Sequence, residues 1–281
     1  MSEAWFRWLA RRRLRTLHAW GAVLGWLAWA LSPGYRARLA ENAALAGVPA
    51  AARRAAVAEA GCMVMELPRL WGRAPGLPID DPVRWEGAEL VEAALGHPGG
   101  LVLLTPHLGC FEMCAQAYAE RFGARQPVTV LYRPARQAWL RHAEETARAR
   151  PGLATAPATL PGVRLLLRAL KRGESIGLLP DQVPPEGQGV WAPFFGRPAY
   201  TMTLASRLAA QTGARVLAMW CERLPRGAGF VVRVQELPGA LPAGDEAAAA
   251  FLNAAMEGLI RQHPAQYLWA YHRYKAPRGS A

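Results

Sequence analysis

The fold of this chain is decided by the stretch Leu101-Val-Leu-Leu-Thr105-Pro-His107-Leu-Gly-Cys-Phe-Glu112. Its first five residues form a short apolar run, which is typical of a strand buried on both faces of a parallel sheet. Gly109 permits a tight turn, and a helical pattern follows from Cys110 to Arg121. A strand that leads directly into a helix predicts an α/β unit, in which ligands bind at the carboxyl ends of the strands. His107 is therefore expected at that edge of the sheet.

Strand and helix patterns continue to alternate towards the C-terminus. Strand patterns occur at 128–132, 175–179, 215–222 and 229–235, and helical patterns at 137–148, 162–172 and 202–211. This alternation predicts an α/β fold with a mostly parallel central sheet flanked by helices. We divide the chain into residues 1–34, a hydrophobic membrane-associated helix; 35–82, a helical segment that ends in a linker rich in proline and glycine; and 83–281, the α/β domain.

Polar residues follow three of the predicted strands. His107 and Glu112 follow the first, Arg133 ends the second, and Asp181 and Gln182 follow the third. Because the carboxyl ends of parallel strands share one edge, these side chains are expected to converge on one site.

The pair His107 and Glu112 suggests general-base catalysis. A carboxylate that accepts a hydrogen bond from an imidazole fixes its tautomer, so that the free nitrogen can take a proton from a hydroxyl. Judged by spacing alone, the same pattern also fits a surface turn with a capping carboxylate. A zinc site at His107, Cys110 and Cys114 is a further alternative, but a fourth ligand at a recognisable spacing is missing, so we predict no metal and no cofactor.

The N-terminal segment combines arginines with an apolar run rich in tryptophan. Residues 19–31 give thirteen uncharged residues, fewer than the roughly 20 needed to span a bilayer. A basic flank beside such a run favours a helix lying in or dipping into the membrane interface. A cleaved signal peptide and a buried core helix remain alternatives.

Composition narrows the possible partners. The formal net charge of +12 predicts attraction to an anionic partner such as acidic lipid, an acidic protein or nucleic acid. Nucleic acid is disfavoured because the chain has no zinc-finger spacing, RNA-recognition aromatic pair or clear helix-turn-helix pattern. The four cysteines show no disulfide-framework spacing and fit a reducing compartment.

Several blocks together resemble the lipid A late-acyltransferase family of the lysophospholipid-acyltransferase superfamily. They are His107-Leu-Gly-Cys-Phe-Glu112, Tyr132-Arg133-Pro134, Arg148-Ala-Arg150, Ala169-Leu-Lys-Arg-Gly173-Glu, Pro180-Asp181-Gln182, Pro193-Phe-Phe-Gly196-Arg-Pro-Ala-Tyr-Thr201 and Gln266-Tyr-Leu-Trp269-Ala-Tyr-His-Arg273-Tyr-Lys275. The N-terminal apolar helix is also similar to the anchor of that family.

The resemblance implies an O-acyltransferase of the bacterial inner membrane with its catalytic domain on the cytoplasmic face. It would move an acyl chain from acyl-acyl carrier protein to a hydroxyl of a membrane lipid, with a lipid A precursor as the acceptor. His107 would be the base and Glu112 its partner. Substrate binding would fall to four residues: Arg133, Arg148, Asp181 and Gln182.

One departure from the family pattern leaves the acceptor open. The family commonly has an aromatic residue after the histidine and Asn-Trp before the glutamate, where this chain has Leu-Gly-Cys-Phe. Related branches acylate ornithine-type lipids, mannosylated inositol lipids or polyene pigments, and such an acceptor is an alternative. A basic lipid-binding membrane protein without catalytic activity is another.

Overall fold

The structure is a computed structural model that describes residues 3–74, 76–133, 150–277 and residue 279. Four helices come first: α1 (Glu3–Ala10), α2 (Leu14–Leu31), α3 (Pro33–Leu45) and α4 (Ala50–Trp71). Strands and helices then alternate: β1 (Val83–Glu86), α5 (Ala88–Glu92), β2 (Leu101–Leu104), α6 (Phe111–Phe122), β3 (Val128–Tyr132), β4 (Leu153–Pro157), α7 (Leu160–Lys171), β5 (Ser175–Leu178), β6 (Gly189–Phe194), β7 (Arg197–Met202), α8 (Leu204–Thr212), β8 (Arg215–Arg223), β9 (Phe230–Glu236) and α9 (Asp245–Gln262).

Seven of these strands form one sheet in the order β1-β9-β8-β2-β5-β3-β4. Every neighbouring pair in it is parallel except β8 and β9. The strands β6 and β7 form a separate antiparallel pair. The predicted α/β fold with a mostly parallel central sheet is confirmed. The helical pattern at 137–148 lies outside the described residues.

The position of the site follows from the adjacency of β2 and β5. These strands pair in parallel with Leu104 opposite Leu178, and the backbone N–H of Thr105 donates to the carbonyl oxygen of Leu178 at 3.0 Å. Three residues beyond each strand end stand His107 and Asp181. The register therefore brings these two residues to the same level at the carboxyl edge.

The sheet is covered on both faces. Leu101 and Leu103 pack with α5 and α6, whereas Val102 and Leu104 pack with α7, α8 and α9. All four residues of β2 are at most 1% exposed, which explains why this strand is apolar throughout instead of alternating. Burial of each such side chain contributes about 1.5–3 kcal/mol, so β2 is a rigid support for the turn that follows it.

Helices α2 and α4 approach each other closely through glycines. A Cβ atom on Gly61 of α4 would lie 1.9 Å from the carbonyl oxygen of Gly21, so any larger residue would force the two backbones apart. The outward face of α2 leaves large apolar side chains exposed, including Trp20, Val23, Trp26 and Leu31. Within the described ranges, no helix has the length and apolar character needed to cross a bilayer. Membrane association of this segment stays a prediction.

Candidate active site

His107 is held at the end of β2 by the carboxylate of Asp181. The ring Nδ1 of His107 lies 2.7 Å from Oδ1 of Asp181, and the backbone N–H of His107 donates to Oδ2 at 2.9 Å. One carboxylate thus fixes both the ring and the backbone of the histidine. Asp181 is only 2% exposed, which shields this contact from water.

This contact decides the tautomer of His107. An ionised carboxylate can only accept hydrogen bonds, so Nδ1 carries the proton and Nε2 presents a lone pair. The side-chain amide of Gln182 lies with its Nε2 atom 2.9 Å from Nε2 of His107 and donates to that lone pair. With the proton on Nδ1, the imidazole directs its Nε2 away from Asp181.

The charge on Asp181 is maintained in spite of its burial. Burial would raise the pKa of Asp181, but His107 and, more weakly, Arg273 lower it below its ordinary value. Tyr267 lies next to the same carboxylate. Burial, together with Asp181, raises the pKa of its phenol well above the usual range. Tyr267 therefore stays neutral, and Asp181 stays an anion beside the imidazole.

The turn that carries His107 is clamped from two sides. The N–H of Cys110 donates to the carbonyl of Cys221 on β8, and the N–H of Gly109 donates to the carbonyl of Gln266. Gly109 has a φ of +62°, and a Cβ atom there would lie 2.0 Å from the carbonyl oxygen of Cys221. Only glycine fits, so the backbone on the α6 side of His107 is fixed by β8 and by the C-terminal segment.

Glu112 occupies a different position from the one expected. Its Oε2 accepts a hydrogen bond of 3.2 Å from the indole Nε1 of Trp71, at the end of α4. The carboxylate at Nδ1 of His107 is that of Asp181, where the sequence analysis expected Glu112. The reason is topological: Glu112 belongs to the first turn of α6, whereas Asp181 follows the strand that is paired with β2.

His107 and Glu112 nevertheless line the same cavity, which has a volume of about 580 Å³. Arg133 and Gln182 also line it, and so do apolar side chains such as Leu131, Val163 and Met202. The structure therefore brings five of the six predicted site residues together, with Asp181 directly behind His107. The sixth, Arg148, lies outside the described residues.

The cysteines next to this site are buried. Burial raises the pKa of Cys110 well above its ordinary value and that of Cys114 to about 12. Neither thiol is therefore ionised near neutral pH, and neither is an activated nucleophile. The polar side chains that line the cavity include the imidazole of His107, the carboxylate of Glu112, the guanidinium of Arg133 and the amide of Gln182.

A second histidine–carboxylate pair, which no sequence pattern indicated, lies beneath the turn. Nε2 of His18 on α2 is 2.7 Å from Oε1 of Glu66 on α4. Arg223, at the end of β8, donates from Nε and Nη2 to the same carboxylate and from Nη1 to Glu59 at 2.7 Å. Neither a helix rich in alanine nor a single arginine at a strand end gives a sequence signal for such a network.

Arg150 belongs to the block Arg148-Ala-Arg150, and in the structure its side chain binds to the end of α4. It is 8% exposed and donates to the carbonyl oxygens of Leu70, Arg73 and Ala74, at and just beyond the C-terminus of α4. Burial, together with the nearby Arg73, lowers its pKa to about 10. Arg150 therefore caps the helix that carries Trp71.

The chain is similar to known proteins over most of its length. The chain matches the family model described as bacterial lipid A biosynthesis acyltransferase over residues 10–276. It is 25% identical over 191 residues to the lipid A biosynthesis palmitoleoyltransferase of Escherichia coli (strain K12), which covers 68% of this chain and 60% of that protein. The lipid A biosynthesis acyltransferase of Shigella flexneri gives the same values.

The lipid A biosynthesis lauroyltransferase of Escherichia coli (strain K12) is 27% identical over 202 residues, which covers 70% of this chain and 64% of that protein. The chain thus spans about three fifths of the length of the relatives that it matches. The family match extends over almost the whole chain, from the N-terminal helices to the segment behind Asp181. The chain therefore belongs to the bacterial lipid A biosynthesis acyltransferase family.

Proposed function

We propose that this chain transfers a fatty acyl group from acyl-acyl carrier protein to a hydroxyl of a membrane lipid, with a lipid A precursor as the acceptor. The observation that carries the proposal is the orientation of His107. Its Nδ1 is held by a buried carboxylate, and its Nε2 lone pair faces a cavity with both polar and apolar walls. This is the arrangement that a general base requires.

In the proposed reaction the acceptor hydroxyl is the nucleophile. Nε2 of His107 takes the hydroxyl proton while the oxygen forms a bond to the carbonyl carbon of the thioester. Asp181 stabilises the imidazolium that results. The carbon–sulfur bond then breaks, and the imidazolium returns the proton to the sulfur, which leaves as a thiol.

Other residues of the cavity are assigned to the substrates. Glu112 contacts the acceptor from the wall of the cavity, and Gln182 lies beside the reacting groups. Arg133 directly follows β3 and lines the cavity. With Arg148, it would bind a phosphate or carboxylate of the substrate, since guanidinium groups bind such anions well. The apolar part of the wall would take the acyl chain.

The acyl donor is proposed to be an acidic carrier protein. Arg164, Arg168 and Lys171 lie on the exposed face of α7 at intervals of four and three residues, so they form one cationic row. The N-terminal end of the same helix lines the cavity through Leu160 and Val163. A protein with an acidic surface would be attracted to this row and could deliver a thioester to the cavity.

The lipid acceptor implies a position at the cytoplasmic face of the inner membrane. The tryptophans Trp5, Trp8, Trp20 and Trp26 of α1 and α2 are exposed, and the guanidinium group of Arg12, just before α2, lies over the ring of Trp8. Indole rings and arginines together favour the boundary between water and anionic headgroups. A lipid A precursor is the proposed acceptor, and an ornithine-type lipid or a polyene pigment is the alternative.

The test is an acyl-transfer assay with radiolabelled acyl-acyl carrier protein and membrane lipid extract. We expect the variant His107→Ala to lose about 10²–10⁴-fold in rate, because the base is removed. His272→Ala is the matched control, since His272 is exposed and is not among the described residues that line the cavity. Near wild-type transfer by His107→Ala would contradict the mechanism. Absence of transfer by both the wild type and His272→Ala would contradict the proposed identity of the donor or the acceptor.

A further inference from the structure

The lone pair that the proposed reaction requires is already occupied in the structure. Nε2 of His107 accepts the amide N–H of Gln182 at 2.9 Å, so a substrate hydroxyl cannot reach this nitrogen while the amide is in place. His107 and Gln182 line the same cavity, so the position that the amide holds is open to a substrate. The amide of Gln182 therefore blocks the nitrogen of His107 that must accept the proton.

The backbone around Gln182 is anchored, whereas its side chain extends into the cavity. On one side Asp181 is bound to the backbone and ring of His107. On the other side the backbone N–H of Val183 donates to the hydroxyl oxygen of Tyr271 at 3.0 Å. The Gln182 amide can therefore leave His107 by rotation of its own side chain, without movement of the loop.

We propose that Gln182 is a catalytic residue whose amide N–H donates its hydrogen bond first to Nε2 of His107 and then to the thioester oxygen during the acyl transfer proposed above. Before the acceptor binds, its amide caps Nε2 of His107. The acceptor hydroxyl displaces the amide, and the released N–H then donates to the thioester oxygen as that oxygen becomes negatively charged. This inference rests on the proposed function.

The geometry of the exchange is favourable. A hydroxyl that replaces the amide sits within hydrogen-bond distance of Nε2, and the carbonyl that it attacks lies directly beyond it. An amide that starts 2.9 Å from Nε2 is thus close to the position of the oxyanion. Oxyanion donors act at about 2.7–3.1 Å from the oxygen, and a neutral amide supplies such a donor without placing a positive charge beside the imidazolium.

The exchange also balances chemically. The proton of the hydroxyl moves to Nε2 of His107, the new carbon–oxygen bond forms, and the electron pair of the carbonyl moves to its oxygen. Gln182 donates a hydrogen bond throughout and neither gains nor loses a proton. When the carbon–sulfur bond breaks, the carbonyl re-forms, and the amide can return to the imidazole.

The experiment compares Gln182→Met with the wild type by two independent measurements. Methionine has nearly the same length as glutamine and no N–H, so it removes the donor while still filling the space. The first measurement is the rate at which diethyl pyrocarbonate modifies His107, followed by peptide mass spectrometry. The second is steady-state acyl transfer, with kcat and KM determined separately. Gln211→Met, on the exposed end of α8, is the control for the substitution itself.

We expect the two measurements to move in opposite directions. Modification of His107 should become several-fold faster in Gln182→Met because the cap is gone, whereas kcat should fall about 10²–10³-fold with little change in KM because an oxyanion donor is lost. Unchanged modification would overturn the cap, and unchanged kcat would overturn the oxyanion role. A decrease of both rates would indicate that the variant merely disturbs His107. The modification rate needs no substrate, so failure of the proposed function would be seen separately, as transfer that survives in His107→Ala.

Discussion

Two histidine–carboxylate pairs in this molecule have the same hydrogen-bond length and different roles. His107 pairs with Asp181 and His18 pairs with Glu66, each at 2.7 Å, and both carboxylates are almost fully buried. In both pairs the pKa of the carboxyl group is lowered although burial opposes it. The difference lies in what surrounds each pair. His107 lines a cavity, whereas His18 on α2 is buried against α4, and Glu66 is shared with Arg223.

The difference shows that a short bond between an imidazole and a carboxylate does not define an active site. In the pair His107–Asp181 the carboxylate serves the histidine, because it fixes the tautomer and leaves the second nitrogen available. In the pair His18–Glu66 the carboxylate also accepts hydrogen bonds from Arg223, and this network joins α2 and α4 to the end of β8. Access of the second ring nitrogen to substrate therefore separates the proposed catalytic pair from the structural one.

Among the variants that test this comparison, Asp181→Asn should have the largest effect on the rate of acyl transfer. An asparagine can present its NH₂ group to Nδ1 of His107, which favours the tautomer whose proton is on Nε2 and removes the base. We expect kcat for acyl transfer to fall about 10²–10⁴-fold, while the melting temperature shows that the protein still folds.

Glu112→Gln and Glu66→Gln are the matched variants for Asp181→Asn. Glu112→Gln should lose less activity than Asp181→Asn, because Glu112 contacts Trp71 and not Nδ1 of His107. Glu66→Gln should keep its rate per folded molecule. A greater loss in Glu112→Gln than in Asp181→Asn would restore Glu112 as the main partner of the base.

The second pair should be tested through Arg223→Met. This variant leaves Glu66 and Glu59 without their guanidinium partner, and removal of one partner of a buried ion pair costs about 3–5 kcal/mol. We expect the free energy of unfolding in urea to decrease by about that amount. The rate of acyl transfer per folded molecule should change little, since Arg223 is not among the residues that line the cavity.

Arg172→Met is the control for Arg223→Met. Arg172 also makes two hydrogen bonds to one carboxylate, that of Glu174, but the pair is exposed to solvent. Exposed pairs of this kind contribute about 0–1 kcal/mol, so the control should be nearly as stable as the wild type. If Arg223→Met instead lost activity with little loss of stability, the second pair would belong to the active site.

The proposed catalytic pair was partly predictable, and the structural pair was not. The sequence places His107, Asp181 and Gln182 directly after apolar strands, and the carboxyl edge of a parallel sheet brings such residues together. It does not reveal that β5 pairs with β2 although β3 and β4 come between them in the chain. That adjacency selects Asp181 over Glu112. Glu66 and Arg223 are separated by 157 residues and lie in segments without any motif, so only the packing of α4 against the end of β8 brings them together.

The pH dependence of stability provides the finest test of the comparison. Burial would raise the pKa of Glu66, but Arg223 and His18 lower it to about 2 in the folded protein. In the unfolded chain this carboxyl group has a pKa of about 4.3. The unfolded state therefore binds the proton first as the pH decreases, and the stabilisation by Glu66 is complete above about pH 4.3 and lost as the pH falls towards about 2.

Glu66→Gln should accordingly be less stable than the wild type near neutral pH, with a difference that narrows in acid. Urea midpoints of both proteins at about pH 7, 5 and 3 measure this difference directly. Asp245→Asn is the control: Arg207 also lowers the pKa of Asp245, but the pair is at the surface, where solvent weakens the coupling. A wild-type advantage over Glu66→Gln that stayed constant from pH 7 to pH 3 would mean that Glu66 stabilises the fold through packing and not through its charge. The network beneath the turn would then differ from the pair His107–Asp181 in kind, since only the latter would depend on an ionised carboxylate.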